Sequence, residues 1–135
     1  MLASNLELVR HILTETAFII EHTDKKTKDQ VIDDEVLCRA VVRSIEIIGE
    51  ASKKISDNFK VQHHYIEWKK IAGARDKLIH DYFGIDYDIV WDIIENKVPD
   101  LDHFLKQLVT CFLVDERKYF VLFLRGLFFK LAKSN

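Results

Sequence analysis

Apolar residues recur at intervals of three and four along most of this chain, and that spacing is the strongest constraint on its fold. One series runs from Leu2 through Ala17 to Ile20, and a second runs from Leu37 to Ile55. Because an α-helix has about 3.6 residues per turn, each series predicts one apolar stripe along a helix. Four glycines and one proline in 135 residues are too few for the turns of an all-β fold.

The pattern predicts an all-α protein, an antiparallel bundle of about five helices. The predicted segments are about twenty residues at the amino terminus, Asp34–Ile55, Ile66–Phe83, Tyr87–Asn96 after the N-cap Asp86, and a last helix beginning near Pro99. Two polar stretches, Thr23–Asp29 and Ser56–His64, are interpreted as loops. Gly84 is expected to follow the third helix in a left-handed conformation, which glycine accepts at little cost.

The overall charge limits the kind of surface that the chain can present. The net charge is −2 at pH 7, so a broadly basic face for unspecific nucleic-acid binding is not expected, and any contact with RNA must be local. The amino terminus resembles no export signal, and the apolar runs are far shorter than the ~20 residues that cross a bilayer. These features favour a cytoplasmic protein that does not bind membranes.

The cysteines and histidines suggest no metal or other cofactor. Cys38 and Cys111 lie in apolar helical patterns without C-x-x-C spacing, and both are expected to be buried free thiols. His63 and His64 are adjacent and lack a partner one helical turn away, so a solvated loop is expected there.

The composition changes after residue 108, which divides the chain into a helical domain, 1–108, and a C-terminal extension, 109–135. Five of the nine phenylalanines lie in this extension, and residues 115–135 carry five basic against two acidic side chains. A helix packed on the bundle or on a second copy, an amphipathic membrane-surface segment and a poorly ordered tail all remain open.

One segment combines side chains that are able to process a phosphodiester. Arg75, His80 and Tyr82 are spaced as R-x4-H-x-Y, with Asp76 four residues before the histidine. The bare spacing is common by chance on helices, so the surrounding sequence decides how much weight it carries.

The surrounding segments closely resemble the HepT family of the HEPN superfamily. The similar segments are Ile47–Ala51 (I-I-G-E-A), Trp68–Arg75 (W-K-K-I-A-G-A-R), His80–Asp86 (H-D-Y-F-G-I-D) and Val90–Ile94 (V-W-D-I-I). They occur in the family's order and cover about residues 1–108. The resemblance implies a helical-bundle endoribonuclease toxin, dimeric with a shared cleft, that cuts tRNA or mRNA. It also implies a cognate nucleotidyltransferase antitoxin that adds AMP to Tyr82.

The implied reaction suits these side chains. RNA carries its own nucleophile, the 2′-hydroxyl, so a base, an acid and a cation are sufficient without a metal. His80, with an ordinary pKa of ~6.5, is able to donate or accept the proton. Arg75 presents a planar fork that matches two phosphate oxygens. Asp76 is placed to orient the His80 imidazole from the preceding turn.

Helical geometry excludes a simple dyad on one helix, although the length of arginine would let Arg75 reach around the helix edge. Residues 75 and 80 lie about 140° apart around an ideal helix, so their side chains leave from different faces. Two copies paired across a twofold axis would bring two motifs into one cleft. An AMP group on Tyr82 would place charge and bulk where RNA phosphate must bind.

Further charged residues have two possible interpretations each. Arg39, Arg43, Glu46 and Glu50 form one stripe, either a solvated ladder of ion pairs or the lining of a cleft or subunit contact. Five lysines either guide RNA or only increase solubility: Lys53, Lys54, Lys69, Lys70 and Lys77. Gly49 lies inside a predicted helix, which indicates close approach of another backbone.

An alternative function is a non-catalytic helical dimer that serves as the docking or regulatory subunit of a nucleotidyltransferase. Its R-x4-H-x-Y segment would then contact a nucleotide or a partner instead of cutting RNA. Cleavage of RNA by the purified protein distinguishes these two hypotheses.

Overall fold

The computed structural model describes residues 4–78 and 84–132, and this part of the chain is helical almost throughout. Its helices are α1 (Asn5–Thr23), α2 (Lys28–Ile32), α3 (Glu35–Lys54), α4 (Asp57–Gln62), α5 (Trp68–Leu78), α6 (Tyr87–Asp92) and α7 (Val98–Ala132). A π-helical turn, Ile93–Lys97, joins α6 to α7. The all-α bundle is confirmed, with α1, α3, α5 and α7 as its long members.

The helix starts follow from local hydrogen bonds that the sequence encodes. The side chains of Asp34 and Asp86 accept backbone N–H groups at the starts of α3 and α6, and the cap at Asp86 was predicted. Gly84 has a φ of 101°, so the expected left-handed conformation is confirmed. The predicted helix end at Phe83 lies outside the described residues.

The loop predicted at Thr23–Asp29 is confirmed for residues 24–27, after which α2 begins at Lys28, whereas the loop predicted at Ser56–His64 is wrong because it contains α4. Thr27 and Gln30 form a capping box at the start of α2, and Ser56 caps α4 through the N–H of Phe59. Each short helix buries one apolar side chain, Val31 or Phe59, against the core. One buried residue produces no helical period, so the pattern alone missed both helices.

The core lies where α3 packs on α1 and α5, while α7 closes the bundle against α1. The predicted apolar stripe of α3 is buried from Val41 to Ile55, with Leu37 half-buried at its start. The stripe of α1 is rotated from the predicted one, since Ala17 is exposed and Thr16 is buried. The Thr16 hydroxyl donates a hydrogen bond of 2.8 Å to the buried Asp102 carboxylate, which stabilises a polar group inside the core.

The extension beyond residue 108 continues α7 as one helix to Ala132. Phe112 stacks on Phe59 with ring centroids 6.2 Å apart, whereas Tyr119 and Phe120 are 73% and 62% exposed. The described side chains past Phe112 thus do not pack on their own bundle, and packing of this helix on a second copy stays a prediction. Cys38 is buried as expected, but Cys111 is exposed, because it lies where α7 leaves the bundle. Among the described residues, no helix combines the length and apolarity needed to cross a bilayer.

Candidate active site

Helix α5 carries the arginine of the motif and is anchored in the core at both ends. Trp68 is 5% exposed, and its indole N–H donates a 3.0 Å hydrogen bond to the carbonyl of His63. Leu78, at the other end, is fully buried. Two buried anchors fix the rotation of the helix, so Arg75 is directed consistently to one side.

Helix α5 crosses α3 at Gly49. A Cβ atom at Gly49 would lie 3.6 Å from the Arg75 Cβ and 3.6 Å from the backbone oxygens of Ile71 and Ala72. A methyl group would be in ordinary contact there, whereas a longer side chain would separate the helices. The close approach expected from the sequence is confirmed, and it places Arg75 beside the end of α3.

The closest polar partner of Arg75 in the described structure is Glu50, the residue after this glycine. The Arg75 guanidinium donates to Glu50 Oε1 at 2.9 Å, and the Lys53 ammonium contacts the same oxygen at 3.5 Å. Lys53 first, and Arg75 in addition, lower the pKa of the Glu50 carboxyl. Glu50 is therefore ionised near neutrality and holds the guanidinium, while the Arg75 side chain as a whole stays 44% exposed.

This contact bears on the two interpretations of the charged stripe on α3. Arg39 pairs with Glu35 at 2.7 Å and Arg43 with Glu46 at 3.1 Å, as in a surface ladder. Glu50 instead reaches across to α5. The stripe is thus a ladder over most of its length and meets the candidate site only at its carboxyl-terminal end.

Part of the motif lies outside the described residues. His80 and Tyr82 belong to the segment 79–83, so their convergence with Arg75 remains a prediction. Asp76 is exposed on α5, one position beyond Arg75. The residues that flank the segment meet, since the Asp86 N–H donates to the Leu78 carbonyl at 3.3 Å.

The next question is whether His63 and His64, or any other potential ligands, could hold a metal. Within residues 4–78 and 84–132, no three His, Cys, Asp or Glu side chains cluster as metal ligands would. His64 is exposed as expected, whereas His63 is half-buried beside Phe59 and Phe112. The expectation of a solvated loop was wrong for His63, because α4 and α7 both cover it. Burial lowers the pKa of its imidazole.

Comparison with known families decides how the site is interpreted. The model of a family described as "Ribonuclease HepT-like" matches residues 12–108. This chain belongs to the HepT-like ribonuclease family. The match includes all of α3 and α5, and therefore Glu50 and Arg75, and it stops where α7 leaves the bundle.

Curated relatives support the HepT-like assignment. A protein of Caldanaerobacter subterraneus subsp. tengcongensis named "Putative RNase" is 45% identical over 101 residues, which are 75% of this chain and 90% of that protein. A Thermococcus cleftensis protein named "Probable ribonuclease HepT" is 40% identical over 100 residues, covering 74% and 82% of the two chains. No solved structure matches this chain significantly.

In this HepT-like chain, Glu50 is the site residue that sequence reasoning did not assign. Glu50 was visible within the I-I-G-E-A segment, and the preceding Gly49 indicated a close contact there. The sequence did not reveal which helix approaches Gly49. A partner 25 residues away along the chain becomes evident only once α3 and α5 are packed.

Proposed function

We propose that this chain is an endoribonuclease that cleaves RNA by using the neighbouring 2′-hydroxyl as the nucleophile. In this proposal Arg75 binds the scissile phosphate and His80 transfers the proton. The observation that carries it is the Arg75 guanidinium itself, half-exposed on an anchored helix and held by the ionised Glu50. Membership of the HepT-like family and the R-x4-H spacing support the same assignment.

The proposed reaction requires one base, one acid and one cation. His80 takes the proton of the 2′-hydroxyl as that oxygen attacks phosphorus. Arg75 stabilises the additional negative charge on the phosphorane oxygens. The bond to the 5′-oxygen then breaks, and that oxygen receives a proton from an imidazolium. The products are a 2′,3′-cyclic phosphate and a 5′-hydroxyl, and the 2′-hydroxyl makes a metal-bound water unnecessary.

The finer assignments belong to the same proposal. Two copies form a homodimer that brings two motifs into one cleft, and this arrangement overcomes the angular separation of Arg75 and His80. Asp76 orients the His80 imidazole from the preceding turn. The enzyme acts as a cytoplasmic toxin on tRNA or mRNA, and a cognate nucleotidyltransferase antitoxin inhibits it by adding AMP to Tyr82.

The nuclease assignment is tested with purified protein and labelled RNA in the presence of EDTA. Wild type should cleave, whereas Arg75→Ala and His80→Ala should each reduce cleavage at least about 100-fold. Arg39→Ala is the matched control, because it too removes an exposed arginine that is paired with a glutamate. In the case of Arg39 the glutamate lies one turn away on the same helix, outside the candidate site. If both motif variants cut RNA as fast as Arg39→Ala, the catalytic assignment is refuted.

Inhibition is tested separately by incubating the protein with the cognate nucleotidyltransferase and ATP. Intact-mass measurement should show added AMP on wild type and none on Tyr82→Phe, and the modified protein should have lost its nuclease activity. Unmodified protein, or modified protein that still cleaves, would contradict this part of the proposal. If wild type bears AMP but never cleaves RNA in either state, the non-catalytic docking function is favoured instead.

A further inference from the structure

A basic groove adjoins the candidate active site. It lies between α4 and α5, reaches the end of α3 and has a volume of about 960 Å³. Five lysines line it: Lys53, Lys60, Lys69, Lys70 and Lys77. We refer to it as the lysine groove.

The charge of this groove is opposite to that of the whole chain. Five lysines face two acids, Asp57 and Glu67, so the lining carries three excess positive charges, and His64 adds a further titratable group. The complete chain has a net charge of −2. Lysines that served only solubility would be spread over the surface and interspersed with acidic residues. These five instead lie together along one groove.

The positive charge of the groove is only partly neutralised. Lys53 pairs with Glu50, and Lys70 pairs with Glu67. Lys60 and Lys69 form no ion pair with any other described residue, and the Lys69 side chain is exposed. A polyanion entering the groove would therefore meet cations without having to displace a carboxylate from each of them.

The groove meets the candidate site at Lys53, since Arg75 itself does not line it. Lys53 and Arg75 contact the same oxygen of Glu50, at 3.5 and 2.9 Å, so the two cations are no more than two contact lengths apart. Lys53 therefore belongs both to the lining of the groove and to the surroundings of Arg75. A strand with one phosphate at Arg75 would have its next phosphate within reach of Lys53 and could continue from there into the groove.

The floor of the groove is kept open by a glycine inside α5. A Cβ atom added at Gly73 would find no atom of the described residues within 4 Å, so packing among those residues does not explain this glycine, in contrast to Gly49. Glycine in a helix interior is less favourable than alanine, and Gly73 therefore weakens the helix without any packing gain in return. An unobstructed floor is the physical gain that the structure offers.

We propose that the lysine groove binds the phosphate backbone of the RNA strand next to the scissile phosphate. The inference deepens the proposed ribonuclease function by naming the surface that holds the substrate. Each lysine–phosphate contact on single-stranded RNA should contribute about 0.7 to the slope of log affinity against log salt concentration. The groove therefore predicts a measurable salt signature that is independent of cleavage.

The test measures binding of a fluorescent single-stranded RNA to the full chain carrying His80→Ala, so that cleavage does not interfere. In this background Lys60→Ala and Lys69→Ala are combined. The matched control combines Arg10→Ala and Lys26→Ala, which remove two exposed cations outside the groove and change the net charge equally. Affinity is measured between 50 and 200 mM salt, conditions chosen to span the region of strong salt dependence.

The groove variant should bind more weakly than the control at low salt, and its salt slope should be about 1.4 smaller, which corresponds to two lost contacts. A second variant, Gly73→Gln, should weaken RNA binding while resisting urea at least as well as wild type, because glutamine favours helix more than glycine does. Equal salt slopes for the groove and control variants would overturn the proposal. Binding that depends on the groove in a chain that never cleaves RNA would refute the nuclease function alone.

Discussion

Replacement of Leu78 by alanine tests whether the anchoring of α5 matters for catalysis. Leu78 is fully buried, lies three residues after Arg75 and precedes His80 by two. Its truncation should cost about 2–5 kcal/mol in the free energy of unfolding through lost burial and the cavity left behind. Leu105 is equally buried but lies on α7, so Leu105→Ala is a matched control with a similar expected cost.

The two variants should differ in activity per folded molecule. A loosened end of α5 misplaces the motif, and misplacement by about 1 Å can cost on the order of 100-fold in rate. We expect Leu78→Ala to lower kcat at least about tenfold, and Leu105→Ala to lower it less than about twofold. Single-turnover cleavage measured well below each melting temperature, with the folded fraction from urea curves, gives both quantities. Equal activities per folded molecule would refute the anchoring argument.

Three further changes test individual interactions. Glu50→Gln should lower kcat severalfold, because a neutral amide holds Arg75 less firmly. It should not raise KM, because the amide also repels phosphate less than the carboxylate does. In an Arg75→Ala background, Glu50→Gln should cause no further loss in the single-turnover rate. Thr16→Val should cost about 1.5–3 kcal/mol in urea denaturation, since buried Asp102 loses a charge-assisted hydrogen bond; a cost below about 0.5 kcal/mol would contradict this. Burial lowers the pKa of His63, so the unfolded chain binds a proton first and the free energy of unfolding should decrease as pH falls through ~6.5. His63→Leu should flatten that dependence.

Elements with a long apolar period were predictable from the sequence. Helix α3 was expected from Asp34 to Ile55 and spans Glu35–Lys54, because a sustained stripe and an aspartate N-cap define it independently. The short helix α4 was missed, since it buries only Phe59 and depends on the local cap at Ser56. Periodicity reports repeated burial, and a single buried side chain leaves no period to detect.

The rotation of α1 shows a different limit. The sequence places Ala17 in an apolar series, yet the buried residue is its polar neighbour, Thr16. The Thr16 hydroxyl is within hydrogen-bond distance of the Leu13 carbonyl in its own helix and, 86 residues away, of Asp102, which accepts the shorter bond. Such a pair depends on how α1 and α7 dock, and composition or spacing along either helix does not reveal it.

At the candidate site, the sequence supplied the arginine and the structure supplied its partner. Arg75 was assigned from its motif, and Gly49 correctly indicated a close helix crossing. That α5 is the helix crossing there, and that Glu50 therefore meets Arg75, depends on tertiary packing. Repetition of the charged stripe every three or four residues gave Glu50 no distinction from Glu46, although among the described residues Glu50 forms an ion pair with α5 and Glu46 pairs within α3.

The exposure of this ion pair explains how one carboxylate is able to hold Arg75 without blocking it. A fully buried pair is costly to break, because separation leaves a desolvated charge. Arg75 and Glu50 are each nearly half exposed, so water is able to solvate either partner when they separate. Lys53 already contacts the same Glu50 oxygen and would continue to neutralise it after the guanidinium turned to a phosphate. Under the proposed function, the three side chains would thus allow Arg75 to exchange a carboxylate for an RNA phosphate at little electrostatic cost.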